Sequence, residues 1–334
     1  MIKSRAIFKY ATLLLILGFL SYFLYKLDFG LVKESFDKIG PAYLLVLLMS
    51  FLAYLLATIA WRFCFHNTSI GLSKLFRIRL MGEMLALINP TNVLAGDGLK
   101  FYLLTKENFG HKSDVASSVL VSRYLVGLSY VLLVIISLFY LIYSGWLDSL
   151  EFILWILLIP TALLFLIVSA LLFSAGLRFY ALIKRLSLLF NRWSFLKTIL
   201  PSIKSLNLVS AKMYRDKKLK LIFAFICSLM HWLLGAAEIY FVLIVLNMDV
   251  GFMDAIFIES GVILFKAMAA FVPAQVGVEE LSNKVLLAVV STSNPVAWLI
   301  LSLIRRLRFI FWFAIASILY FFKVDKPNLS VARN

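Results

Sequence analysis

Long apolar blocks organise this chain, in place of the alternating pattern of strands or the single stripe of surface helices. Six of them, residues 10–25, 42–65, 116–143, 152–173, 221–246 and 295–322, approach or exceed the ~20 residues a helix needs to cross the hydrocarbon core. Two further apolar stretches are interrupted. Residues 76–105 break at Asn89-Pro90-Thr91-Asn92, and residues 254–290 break at Val272-Pro273, with Gly277 following. Their halves, roughly 12–18 residues long, are short for a crossing. Proline lacks an amide donor, so the broken backbone must lie inside protein or beside water. Pro90, Pro273, Gly96 and Gly277 are therefore read as hairpin breakers, with Gly96, Gly98 and Gly277 also allowing tight backbone geometry or close approach. The pattern predicts an all-α polytopic membrane protein with about six transmembrane helices and two re-entrant hairpins, in one integral-membrane domain over residues 1–334.

Composition supports lipid as the solvent. Hydrophobic residues make up 63% of the chain and charged residues 15%, against about a quarter charged in soluble domains. The first block follows Lys3, Arg5 and Lys9, lacks a small-residue cleavage signal and closes on Tyr22, Phe23 and Tyr25, so it reads as a retained anchor.

Charge orients the spans. The net charge of +16 would suggest nucleic acid in a soluble protein, but basic residues here gather in loops. Residues 176–220 carry Arg178, Lys184, Arg185, Arg192, Lys197, Lys204, Lys212, Arg215, Lys217, Lys218 and Lys220, with Asp216 as the one acid. This segment is expected to be cytoplasmic and to lie on the membrane as basic amphipathic helices, with Leu182, Ile183, Leu186 and Leu189 against lipid. The loops near Asp148, Glu151 and Asp249 are expected outside. Six spans then place both termini in the cytoplasm of a bacterial inner membrane, and no nucleic-acid partner is expected.

Spacing relates the two interrupted stretches. Asp97 and Arg123 stand seven and 33 residues beyond Pro90, and Glu280 and Arg306 stand seven and 33 beyond Pro273. Each unit, 42–143 and 221–322, reads span, broken hairpin, span, and loop charge gives the two opposite orientations. That is the pattern of inverted-repeat transporters, whose sites sit at broken helices near the midplane.

Ionisable groups in such segments cost ~2.5–3.5 kcal/mol each on insertion scales and so require an account. The first stretch holds Glu83, Asp97 and Lys100; the second holds Glu259, Lys266, Glu279, Glu280 and Lys284, with Arg305, Arg306 and Arg308 beyond and Glu238 in the preceding span. Asp97 and Glu280 are read as partners of buried cations. Arg123 and Arg306 are read as phosphate ligands, because a guanidinium offers a planar fork of donors and keeps its charge when partly desolvated. Lys100 and Lys284 are additional substrate-binding candidates. Asp97, Glu279 and Glu280 would balance these cations or couple protons. Arg305 and Arg308 are read as interface groups.

Conventional catalytic and metal motifs are lacking. Cys64 and Cys227 lie in apolar segments, and His66, His111 and His231 have no metal-ligand spacing, so neither a disulfide, a metal nor another cofactor is expected.

The run Pro90-Thr91-Asn92-Val93-Leu94-Ala95-Gly96-Asp97-Gly98-Leu99-Lys100 resembles the P…GGDxxR region of the flippase-like family that includes the transmembrane domain of bacterial lysylphosphatidylglycerol synthases. Ser117-Ser118-Val119 with Arg123, and Val272-Pro273 through Glu280, are similar to its following segments. Ser302 to Arg308 resembles the ending of the hopanoid-associated branch. Ala95, Lys100 and Ser122 depart from the usual pattern. The resemblance implies the translocase-like part alone, without a soluble aminoacyl-transfer domain. It implies a carrier for an anionic or glycosylated lipid: a phospholipid, a polyprenyl-phosphate conjugate or a hopanoid-related lipid. Lipid-biosynthesis enzymes are candidate partners. Two other readings stand beside it: an integral-membrane enzyme using Asp97 or Glu279 as base, and a non-transporting subunit of a lipid-modifying complex.

Overall fold

The computed structural model describes residues 37–65, 70–88, 93–107, 111–144, 216–269, 277–290 and 296–322, with isolated positions Gly30, Lys33, Phe109, Val272 and Gln275. The predicted spans at 10–25 and 152–173, most of the basic segment 176–220, and Pro90 and Pro273 lie outside the described residues.

All regular structure described is helical. A short 3₁₀ turn, Gly40–Ala42, leads into α1 (Tyr43–Phe63). It is followed by α2 (Leu72–Ile88), α3 (Val93–Lys106) and α4 (Lys112–Ser144). The second group is α5 (Lys218–Val245), α6 (Phe252–Met268), α7 (Val278–Val290) and α8 (Ala297–Phe322). Each predicted span within the described residues is one helix, and each interrupted stretch is two. Three helices, Asp37–Phe63, Lys112–Ser144 and Lys218–Val245, are long and apolar enough to cross a membrane. α8 has 26 residues but carries Arg305, Arg306 and Arg308 along its middle.

Helix packing in the two groups corresponds. α2 lies on α3 as α6 lies on α7, and α3 on α4 as α7 on α8. α1 meets α2 as α5 meets α6, and α2 meets α8 as α6 meets α4. α1 and α5 run against each other at the centre. Two large apolar cores follow from this. One joins Trp61, Leu75, Ile78, Leu104, Val119 and Leu125 in the first group. The other joins Ile239, Leu243, Ile258, Leu286, Ile300 and Ile304 in the second. Lipid is as apolar as these side chains, so contacts between helices must also come from close packing and polar links. Ser137 Oγ lies 2.7 Å from Ser260 Oγ, and Tyr130 Oη donates to Ser260 O at 2.8 Å, joining α4 to α6. Trp312 Nε1 donates to Ser50 Oγ at 2.8 Å and joins α8 to α1. Leu44, Leu48, Phe139, Ile222, Phe223, Ile310 and Ile318 remain exposed, an apolar exterior suited to lipid.

Candidate functional site

The first ionic cluster forms where α2, α3 and α4 meet. Arg79 and Glu83, four apart, share one face of α2; α3 contributes Asp97 and Lys100, and α4 contributes Ser122 and Arg123. Two glycines bring α2 and α3 together. A Cβ on Gly96 would lie 2.5 Å from Gly82 O, and one on Gly82 would lie 2.7 Å from Lys100 Cε. Gly96 therefore sits inside α3 as a packing position, and its expected place at the hairpin break is corrected.

This contact lays the Lys100 side chain across Gly82. Its Nζ stands 2.7 Å from Glu83 Oε1 and 3.2 Å from Asp97 Oδ1. Arg123 forms a fork on the other side of Asp97, with Nε to Oδ2 at 3.0 Å and Nη2 to Oδ1 at 3.2 Å. Arg79 Nη2 lies 3.5 Å from Glu83 Oε1. These groups, with Trp61 of α1, line a cavity of about 10 Å³, room for about one water-sized molecule.

The second cluster joins α5, α6, α7 and α8. Arg306 forks onto Glu280, with Nε to Oε1 at 3.0 Å and Nη2 to Oε2 at 3.2 Å. Its Nη2 also donates to Gln275 O at 3.0 Å. Glu280 further accepts the backbone N–H of Gly277 at 2.9 Å, so it caps α7 as well as holding Arg306. Gln275 and Gly277 have φ of +51° and +81°, the left-handed turn that lets the chain reverse into α7. Deeper, Glu279 takes Lys266 at 2.9 Å and Arg305 at 3.2 Å, and Arg305 reaches Glu259 at 2.8 Å. Arg308 pairs with Glu238, which is 1% exposed. Arg305 and Arg308, read from sequence as interface groups, are instead paired with buried acids. A lone buried charge would be very costly, so Glu238, Glu259 and Glu279 each need these cations.

Of the residues expected to bind substrate, the structure brings Asp97, Lys100 and Arg123 together, and Glu279, Glu280 and Arg306 into the second cluster. Both arginine forks hold carboxylates. Lys284 stands apart: it is exposed, with Nζ 5.5 Å from the Trp298 ring centroid. The buried face of α7 runs through Glu279, Ser282, Asn283, Leu286 and Leu287, and the helical period alone places Lys284 beside it. Arg79 and Trp61 line the cavity without having been singled out in the sequence, and Ser122, noted there only as a departure from the family pattern, lines it too. The four-residue spacing of Arg79 and Glu83 was the signal available for the first of them. His231, whose Nδ1 lies 3.0 Å from Ala53 O, packs on Trp232 and links α5 to α1. Among the described residues, no three His, Cys, Asp or Glu side chains gather where they could hold a metal ion.

No curated protein and no solved structure matches the chain. The family model of the lysylphosphatidylglycerol synthase TM region matches residues 8–316, nearly the whole length, and this multi-pass membrane protein belongs to that family.

Proposed function

We propose that this protein is a lipid translocase of the bacterial inner membrane, moving an anionic lipid whose headgroup passes between the hairpins α2–α3 and α6–α7 while its tails stay in the bilayer. The two groups α1–α4 and α5–α8 act as inverted repeats, with both termini cytoplasmic. The correspondence of their helix packing supports this relation.

The observation that carries the reading is the Arg123–Asp97 fork at the wall of a cavity inside an apolar bundle. A phosphate presents two oxygens to a guanidinium much as a carboxylate does. The arginine is therefore partly desolvated and correctly oriented, and a headgroup phosphate replaces Asp97 without leaving a bare charge in the membrane. Lys100, already shared between Glu83 and Asp97, takes up the displaced carboxylate. At about 10 Å³ the cavity has no room for a phosphodiester, so α3 and α4 must part for the exchange. Arg306 makes the corresponding fork on Glu280 in the second group and also donates to Gln275 O, which fastens α8 to the start of α7.

Reconstitution tests the reading. Purified protein in vesicles should move fluorescent phosphatidylglycerol between leaflets faster than phosphatidylcholine, followed by chemical quenching of the outer leaflet. The charge-balanced Asp97→Asn/Arg123→Gln variant should slow that movement by about tenfold or more. Wild-type rates in the folded double variant would overturn the proposal.

A further inference from the structure

The two clusters differ in charge balance. In the second, Glu238, Glu259, Glu279 and Glu280 face Lys266, Arg305, Arg306 and Arg308, and every acid has a basic partner. The first cavity is lined by three basic groups, Arg79, Lys100 and Arg123, against two acids, Glu83 and Asp97. Among the described residues it therefore carries one uncompensated positive formal charge.

The surplus falls on Arg79. This side chain is buried, with the residue 6% exposed, and its Nε has no hydrogen-bond acceptor among the described residues. Its contact with Glu83 is long, at 3.5 Å, because Lys100 takes the same oxygen at 2.7 Å. A second orphan lies on the same wall: Trp61, 1% exposed, has its Nε1 buried without an acceptor among the described residues. Both orphan groups are donors. Buried donors and a buried surplus cation both cost free energy, and one ligand bearing anionic oxygens offsets both.

We infer that the first cavity is a binding site for a monoanionic phosphodiester, held by Arg79 Nε–H and Trp61 Nε1–H, while the second cluster is a neutral ionic girder. A phosphodiester carries a single negative charge and cancels the surplus. Inorganic phosphate or a phosphomonoester, nearer −1.5 to −2 at neutral pH, overshoots it. The phosphodiester's assignment to a lipid headgroup rests on the translocase reading; the anion site itself does not. Arg79 is thus the ligand that waits for the phosphate, and Arg123 joins once Asp97 is displaced.

The test uses the full chain in phosphatidylcholine nanodiscs containing rising fractions of phosphatidylglycerol, with lipid retained by the protein measured by mass spectrometry. A parallel titration uses inorganic phosphate. Wild type should enrich phosphatidylglycerol. Arg79→Gln should weaken that enrichment by about tenfold or more, and Trp61→Phe, which keeps an aromatic ring at the site and removes the N–H, by several-fold, roughly the loss of one bond to a charged group. Lys106→Gln, an exposed cation on α3, should leave it unchanged. Trp61→Phe keeps the test decisive if Arg79→Gln misfolds. Wild-type enrichment in both variants overturns the site. Loss in Glu280→Gln/Arg306→Gln with retention in Arg79→Gln and Trp61→Phe overturns it too. Binding of inorganic phosphate that depends on Arg79 and Trp61, without any lipid enrichment, supports an anion site but overturns both its phosphodiester assignment and the translocase reading.

Discussion

Arg123 grips Asp97 through two hydrogen bonds, from Nε at 3.0 Å and from Nη2 at 3.2 Å, and so fastens α4 to α3. The Arg123 side chain is 34% exposed and that of Asp97 18%, so the pair is only partly buried. The cost of breaking the pair therefore lies below the range for a fully buried one. Asp97→Asn should destabilise the protein by about 1–3 kcal/mol, and Asp97→Asn/Arg123→Gln by less than the sum of its parts. Thermal unfolding of the four species of the double-mutant cycle in one detergent measures the coupling. Strict additivity would show that the fork contributes orientation but no stability.

Two glycines of α3 should respond in opposite directions. A Cβ on Gly96 meets Gly82 O at 2.5 Å, whereas one on Gly98 meets nothing within 4 Å. Gly96→Ala should cost about 1–3 kcal/mol by forcing α2 from α3. Gly98→Ala should be neutral or stabilise by up to about 1 kcal/mol, through its better helix propensity. Melting temperatures of the two variants separate the cases.

Glu279 serves two cations at once, Lys266 and Arg305. Replacing it with Gln leaves both short of a counter-charge in a buried site, and should cost about 3–5 kcal/mol. Lys284→Gln, five residues along the same helix and exposed, should change stability by no more than about 0.5 kcal/mol. Detergent unfolding curves for the pair test whether the electrostatic weight of α7 lies on its buried face.

Gln275 adopts φ of +51° where the second hairpin turns, and it is the carbonyl of this residue, not its side chain, that binds Arg306. Gln275→Gly should keep the fold at or above wild-type stability. Gln275→Val should lose about 1–2 kcal/mol or more, because a β-branched side chain fits this backbone poorly. Equal stability in the two variants would mean that the turn relaxes on substitution.

Much of the architecture was legible in one dimension. The blocks 42–65, 116–143, 221–246 and 295–322 became α1, α4, α5 and α8 with ends shifted by a few residues, and the breaks near Pro90 and Pro273 separate α2 from α3 and α6 from α7. The separation of 26 residues between acid and arginine, common to Asp97–Arg123 and Glu280–Arg306, was also readable in advance. The role of Arg79 was not. It depends on the Gly82–Gly96 contact, which brings Lys100 onto Glu83 and leaves Arg79 at a longer distance from the same carboxylate.

Transfer from water to lipid is a nearly additive property of local segments, so the sequence by itself determined that the chain enters the membrane, where its helices run and where they must break. Choice among charge partners is not additive. Each buried carboxylate had several cations available, and which one it holds depends on how closely two helix backbones approach and on which helix face turns inward. Only the tertiary structure decided that Arg306 is bound by an acid and a turn, that Lys284 is excluded, and that the described lining of the first cavity holds one more cation than acid.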